Sequence, residues 1–402
     1  MDKFFIKIKT EKVEIDKKVF LSLLNISHVK EYSSYKNAIT DNEISLSHLK
    51  DLSEKADTPY PLFFAPLNIV NKQIKDKENE LNQKLPSKKE IRLAFRGKMK
   101  SNDIELIVKD LARKQEFLKR ILPMTPENSF VGSVSHKIIM GVSNKDIAKN
   151  IRDYFKIDLN HIRNIPKDDV LNYLFKKAEK KNILISLSSY HYMPQEISKD
   201  LYLSGFCVKD KKFPYIFINT RDGDETPIIL ETSGRQIFTL IAMIVSIGMN
   251  KFVLSMKEGQ VKSSSQKRIY SIVGEILIPE NDLTIIKIND VDDIKKYAKS
   301  FKVTPSMLVM RLKESNFMSR DTANLYLNIL YKEIKEIESK KKYYNNTKPV
   351  NGFGKYNGER FSHEVVIAHK ARKVSLIEAK NILFRKGKMD NTLFNEYINK
   401  FK

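Results

Sequence analysis

Arg235–Asn250 reads RQIFTLIAMIVSIGMN, and the thirteen residues Ile237–Met249 carry no charge in a chain that has 72 Lys and Arg against 49 Asp and Glu. Three readings compete for such a run: a membrane span, a buried helix, or an active-site helix stripped of its chemistry. Spanning a bilayer needs about 20 predominantly apolar residues, and this run is closed by Arg235 and Lys251. It is therefore expected to be a buried helix, and its neighbours decide what kind.

Upstream the pattern is extended. ILISLSS (183–189), YLSGFCV (202–208) and YIFIN (215–219) are β-rich runs, broken by Gly205, Pro214 and the turn RDGDET. Downstream, QKRIYSIVGEILIP places Ile269, Ile272, Val273, Ile276 and Leu277 at helical spacing before Pro279. Next come TPSMLVMRLKES, with Thr304 as cap and Pro305 in the first turn, and a long helix from Ser319 towards Lys341. KKKYYNNTKPVNGFGKYNG reads as a loop before a final helical pair, in which Ser375 and Glu378 form a capping box.

Towards the N-terminus, residues 17–59 read as two or three small helices ending at PYPLFFAP. Asn71–Lys100 is polar and Lys-rich and reads as a linker or exposed crossover. Ile104, Ile107, Leu111, Leu118 and Ile121 mark one face of a helix closed by Pro123. Ser143 caps another, with Ile147, Ile151 and Phe155 inward, and a third carries Val170, Leu171, Leu174, Phe175 and Ala178. The expected class is α+β, a small sheet flanked by mainly helical N- and C-terminal segments. The expected divisions are a helical N-terminal region (1–60), a helical connecting region (61–180), a core (181–290) and a helical C-terminal region (291–402).

The formal charge of +23 favours polyanionic partners, nucleic acid or an acidic protein, although a Lys-rich composition by itself yields solvated basic faces. A single Cys, Cys207, excludes an intramolecular disulfide framework and fits a reducing cytoplasm. MDKFFIKIKTEKVEID lacks the apolar stretch of a secretory signal, so a cytoplasmic protein is expected.

Few side chains suggest chemistry. None of the seven histidines stands four residues from another, so no helix offers paired imidazoles to zinc. His363 and Glu364 begin like H-E-x-x-H, but the fifth position is Ile367, and His369 lies too far round the helix. Cys207 lies in a strand with no histidine adjacent in sequence. Asp222, Asp224 and Glu225 have the charge to hold magnesium, but acidic residues beside Gly223 are ordinary turn composition. The basic clusters interleaved with aromatics are the better binding candidates. One is Arg92, Phe95, Arg96, Lys98 and Lys100, and the other Lys340, Lys341, Lys342, Tyr343 and Tyr344; both have groups to neutralise phosphates and stack on bases.

The segment SGFCVKDKKFPYIFINTRDGDETPIILETSGRQIFTLIAMIVSIGMN resembles the core of the ImmA/IrrE family of zinc metallopeptidases. Members have an extended segment ending in Asn, a turn, then R-Q-x-F-T-L followed by H-E-L-G-H. Asn219, Arg235, Gln236, Phe238, Thr239 and Leu240 match. The metal positions do not: Ala242 stands for the first His, Met243 for the catalytic Glu and Ser246 for the second His. In the helix that resembles E-A-N-x-F-A-A-x-L-L-M-P, matched through Glu275, Leu277 and Pro279, Arg268 stands for the ligand Glu.

The resemblance spans about residues 55–390, and it implies a zincin-like, minimal gluzincin core over 181–290. It also implies a remnant of an XRE-type DNA-binding domain before residue 60, where no helix, turn and recognition helix can be read. Without imidazoles or a carboxylate at those positions there is no tetrahedral zinc site, no acidified water and no general base, so no metal and no cofactor are expected.

The expected protein is a pseudoenzyme that acts by binding. Active relatives cut repressors of mobile elements or stress genes, and longer ones sit in toxin–antitoxin or phage-defence systems. A repressor, a toxin or a defence component is thus the expected protein partner, with contact to nucleic acid as a second expectation and no membrane. Two alternatives stand: a hydrolase, whether metallopeptidase or nuclease, with a relocated site, and a protein-only inhibitor or counter-defence factor.

Overall fold

The structure, a computed structural model, describes residues 3–24, 28–56, 58–84, 104–189, 191–197, 203–220, 233–251, 255–256, 264–338, 347–384 and 390–401. The chain forms two compact units, Met1–Arg113 with Pro194–Leu201, and Lys114–Met193 with Tyr202–Lys402. It is a mixed α+β protein, mostly helical, with two small sheets. Among the described residues no helix is long and apolar enough to cross a membrane.

The first unit is not all helix. β1 (Lys3–Ile8) and β2 (Glu11–Asp16) form an antiparallel hairpin, and β3 (Glu43–Ser45) adds parallel to β1. The cause is the alternation K-F-F-I-K-I, which turns Phe4 and Ile6 into the core and leaves Lys3 and Lys7 outside, where they pair with Glu14 and Glu43. Phe4 stacks on Phe20 at 4.2 Å, and Phe20 meets Tyr35 and Phe63.

Three short helices over 17–59 are present, at Lys17–Leu24, Ser33–Asp41 and Leu46–Lys55. The last two are separated by β3 and not by a tight turn, so they do not form a helix-turn-helix. The stretch from Asn71, read as a linker, is helical as far as Lys84 within Leu67–Lys84. Val70 faces the core, and the segment is rich in Lys, Glu and Gln, which are good helix formers.

The second unit is built on a four-stranded sheet of order β4-β6-β5-β7, comprising β4 (Leu184–Leu187), β5 (Leu203–Val208), β6 (Tyr215–Ile218) and β7 (Ser255–Met256). β4 runs parallel to β6, while β5 runs antiparallel to both of its neighbours. The central helix, Ser233–Gly248, lies on this sheet, and the flanking helix, Ser264–Leu277, packs beside it. Gln115, fully buried, donates to the Val208 and Phe213 carbonyls and so ties helix Glu105–Ile121 to the β5–β6 hairpin.

The expected caps form. Ser143, Thr304 and Ser375 each accept from the backbone N–H three residues on. Glu378 completes no capping box, because its carboxylate pairs with Arg120. NGFGKYNG is not a loop: Pro349–Asn357 is a helix, with Pro349 in its first turn. Its glycines serve contact. A Cβ on Gly352 would overlap the Tyr192 ring, and one on Gly354 would come within 2.7 Å of Phe401.

Candidate functional site

The first two turns of the central helix and the strand end beneath them are held by residues that carry the family resemblance. Arg235 donates through Nε and Nη2 to Ser204 Oγ at the start of β5, at 3.2 and 3.1 Å. Asn219 donates its side-chain amide to the Leu203 carbonyl at 3.0 Å and its backbone N–H to that of Ser204 at 2.8 Å. Phe238 packs edge-on against Tyr270 of the flanking helix, with centroids 5.0 Å apart. Thr239 faces Gly205 so closely that a Cβ there would lie 2.8 Å from Thr239 Cγ2 and 2.6 Å from the Phe217 carbonyl oxygen.

The next turn carries the positions that the resemblance assigns to zinc chemistry. Ala242, Met243 and Ser246 are fully buried. The Ser246 hydroxyl donates to the Ala242 carbonyl at 2.7 Å, a bond back to the preceding turn that occupies its one proton. A methyl, a thioether and an engaged hydroxyl are a poor donor set for zinc, which takes imidazole, thiolate or carboxylate. Arg268 on the flanking helix is half-buried, and its Nε is enclosed with no hydrogen-bond acceptor among the described residues. A guanidinium has no lone pair to give a cation, and its charge opposes one. These residues do not fit a zinc ion, and among the described residues no group of three His, Cys, Asp or Glu side chains is placed to hold a metal.

At its other end the flanking helix carries a saturated ionic network. Glu275 pairs with Arg311 and also accepts from the Glu280 N–H at 3.3 Å. Arg311 Nε donates to the Ile278 carbonyl at 3.1 Å, and Arg152 Nη1 to the Glu275 carbonyl at 2.6 Å. Burial pushes the Arg152 pKa down, opposed by the charges of Glu275, Asp153 and Asp282. With both carboxylate oxygens engaged, this network joins elements of the fold.

The other expected sites separate. Cys207 is buried in β5 opposite Ile216, where no substrate reaches it. Glu364 is paired with Arg360 at 2.7 Å, and the His369 ring contacts the Val374 carbonyl at 3.1 Å, so both side chains are engaged within the fold. Arg92, Arg96, Lys98, Lys100, Lys340, Lys341, Lys342, Tyr343 and Tyr344 lie outside the described residues, as do Asp222, Asp224 and Glu225.

Two features went unread in the sequence. Glu179, at the end of helix Lys167–Glu179, is buried, and desolvation raises its pKa to about 7 against the opposing backbone bond from Arg360. A second basic and aromatic surface gathers around Tyr173, Lys177 and Lys181, whose sequence signals are their four-residue spacing and the run KKAEKK (176–181). Comparison of the chain with protein-family models, with curated proteins and with solved structures finds no match.

Proposed function

We propose that residues 181–290 form a zincin-like core of the ImmA/IrrE type that has given up zinc, and that the protein acts in the cytoplasm by binding. The observation that carries this reading is the filling of the metal positions. Ala242, Met243 and Ser246 are core side chains, and the one polar group among them is spent within its own helix. Of the residues matching the resemblance, Arg235 and Phe238 hold the helix on its sheet and against its neighbour, and Asn219 joins β6 to β5, so scaffold and chemistry have parted. The partner is a repressor, toxin or defence component of a mobile-element, toxin–antitoxin or phage-defence system, and the excess positive charge adds attraction for nucleic acid.

The test is elemental analysis of purified full-length protein alongside a peptide-cleavage assay run with and without chelator. The expected result is zinc far below one per chain and no chelator-sensitive cleavage. Stoichiometric zinc, or cleavage abolished by chelation, would overturn the reading in favour of a hydrolase with a relocated site.

A further inference from the structure

Some lysines sit on carboxylates, as Lys3 does on Glu14, Lys12 on Glu43 and Lys119 on Asp210, and others lie over aromatic rings, as Lys50 does over Tyr60 and Lys400 over Phe401. One surface of the second unit gathers two lysines of the second kind. Tyr173 and Lys177, four apart on helix Lys167–Glu179, place the ammonium 4.9 Å from the ring centroid. Lys181, four residues further, lies 4.3 Å from the Tyr154 centroid. Tyr154 lies in the last turn of helix Asn144–Phe155, and Lys156 follows that helix in the left-handed conformation. The Tyr173 hydroxyl donates to the Lys156 carbonyl at 3.2 Å, and the His161 ring lies 4.8 Å from that of Tyr173. Lys156, Lys177 and Lys181 have no ion-pair partner among the described residues. Asp158 beside them is engaged as the cap of the next helix, accepting from the Asn160 and His161 N–H groups, and Glu127, whose neighbour Asn128 bonds the Lys181 carbonyl, pairs with Lys211.

A lysine held over a ring keeps its full charge, whereas one held by a carboxylate is neutralised. We propose that this face, with Lys156, Lys177 and Lys181 at its centre, is a docking surface for the phosphate backbone of nucleic acid. The rings fix the cations and are not stacking platforms, because Tyr154 is already stacked on Phe130 and Tyr173 is in contact with His161. Recognition is therefore of charge and spacing, without base preference. A membrane surface would also attract lysines, but it needs an apolar face to insert. The large apolar side chains exposed in this unit, Ile139, Met140 and Ile285 among them, are not on the two helices that carry Tyr154, Tyr173 and Lys177. The proposal deepens the binding reading above and rests on it for the class of partner.

The test compares K177A/K181A with K370A/K373A in the full chain. The second pair removes the same charge from exposed positions at the end of helix Glu359–Lys370. Binding to short duplexes of unrelated sequence and to anionic phospholipid vesicles is titrated with salt. The first pair should weaken duplex binding at about 50 mM salt by about tenfold or more and flatten the slope of log affinity against log salt by about 1.8, or 0.9 per phosphate lost. The control pair should shift affinity by about twofold at most, K177R/K181R should bind like the parent, and thermal midpoints should stay together. Equal loss in both pairs would overturn the surface while leaving nucleic-acid binding in place. Preference for vesicles over duplexes would overturn it in favour of a lipid surface. No duplex binding by the parent at low salt would overturn surface and partner class together, and the zinc measurement would still decide the loss of catalysis on its own.

Discussion

At the scale of single residues, the positions that the resemblance assigns to metal behave as core. Ala242 has no exposed surface, so A242H must place an imidazole where the sheet, the central helix and its neighbour already fill space. Overpacking of this kind costs about 1–3 kcal/mol, and the urea midpoint of A242H should fall accordingly. An accessible cleft at 242 would accept the ring with little loss, and an unchanged midpoint would show such a cleft. Glu179 supplies a second residue-scale prediction, with the sign set by burial. Its folded pKa of about 7 lies above the ordinary 4.5, so between these values the folded protein holds a proton that the unfolded chain releases. Stability from this group is therefore complete below pH 4.5, declines as pH rises and levels off above 7. The total loss is about 3 kcal/mol, from about 1.4 kcal/mol per pH unit. E179Q cannot ionise, and the stability difference between variant and parent, followed by denaturant unfolding from pH 5 to 8, should grow in favour of the variant. A flat difference would place Glu179 in contact with water.

At the scale of elements, the contact between β5 and the central helix depends on the missing side chain of Gly205. A methyl there meets the Phe217 carbonyl of the adjacent strand at 2.6 Å, which no side-chain rotation relieves. G205A should lower stability by about 1–3 kcal/mol, and trimming Thr239 to Ser in addition should recover only part of the loss, because the backbone clash persists. Full recovery in the double variant would mean that Thr239 Cγ2 was the sole obstacle. This junction was legible in sequence because ILISLSS, YLSGFCV and YIFIN are apolar runs of strand length, and each contains one of β4, β5 and β6. The β1–β2 hairpin went unread because Lys3, Lys7 and Lys12 interrupt its apolar residues, although the alternation through Phe4 and Ile6 was present. Helix Pro349–Asn357 was hidden by Gly352 and Gly354, since the rings they admit come from Tyr192 and Phe401, distant in sequence. The lysines around Tyr154 and Tyr173 escaped notice for a related reason: the run FKKAEKK (175–181) is visible in the sequence, but its aromatic partner Tyr154 comes from another helix.

At the scale of the whole molecule, a formal charge of +23 acts in opposite directions on folding and on binding. Like charges repel one another across the folded chain, and raising salt from about 0.1 M to about 1 M shrinks the Debye length from about 10 Å to about 3 Å, which removes most of that repulsion. The same salt weakens exposed ion pairs such as Lys3 with Glu14 and Lys55 with Asp51, but pairs of this kind contribute about 0–1 kcal/mol each, and the buried pair of Arg311 with Glu275 is screened far less. The thermal midpoint in sodium chloride should therefore rise with salt over the range in which affinity for duplex falls. The two curves, measured on one preparation, separate the causes. A midpoint that falls together with affinity would mean that the surface ion pairs outweigh the net repulsion, so that the positive charge is locally compensated and has no long-range attraction left for a polyanion. A rising midpoint with affinity indifferent to salt would keep the repulsion but remove phosphate contacts from the account of what this protein binds.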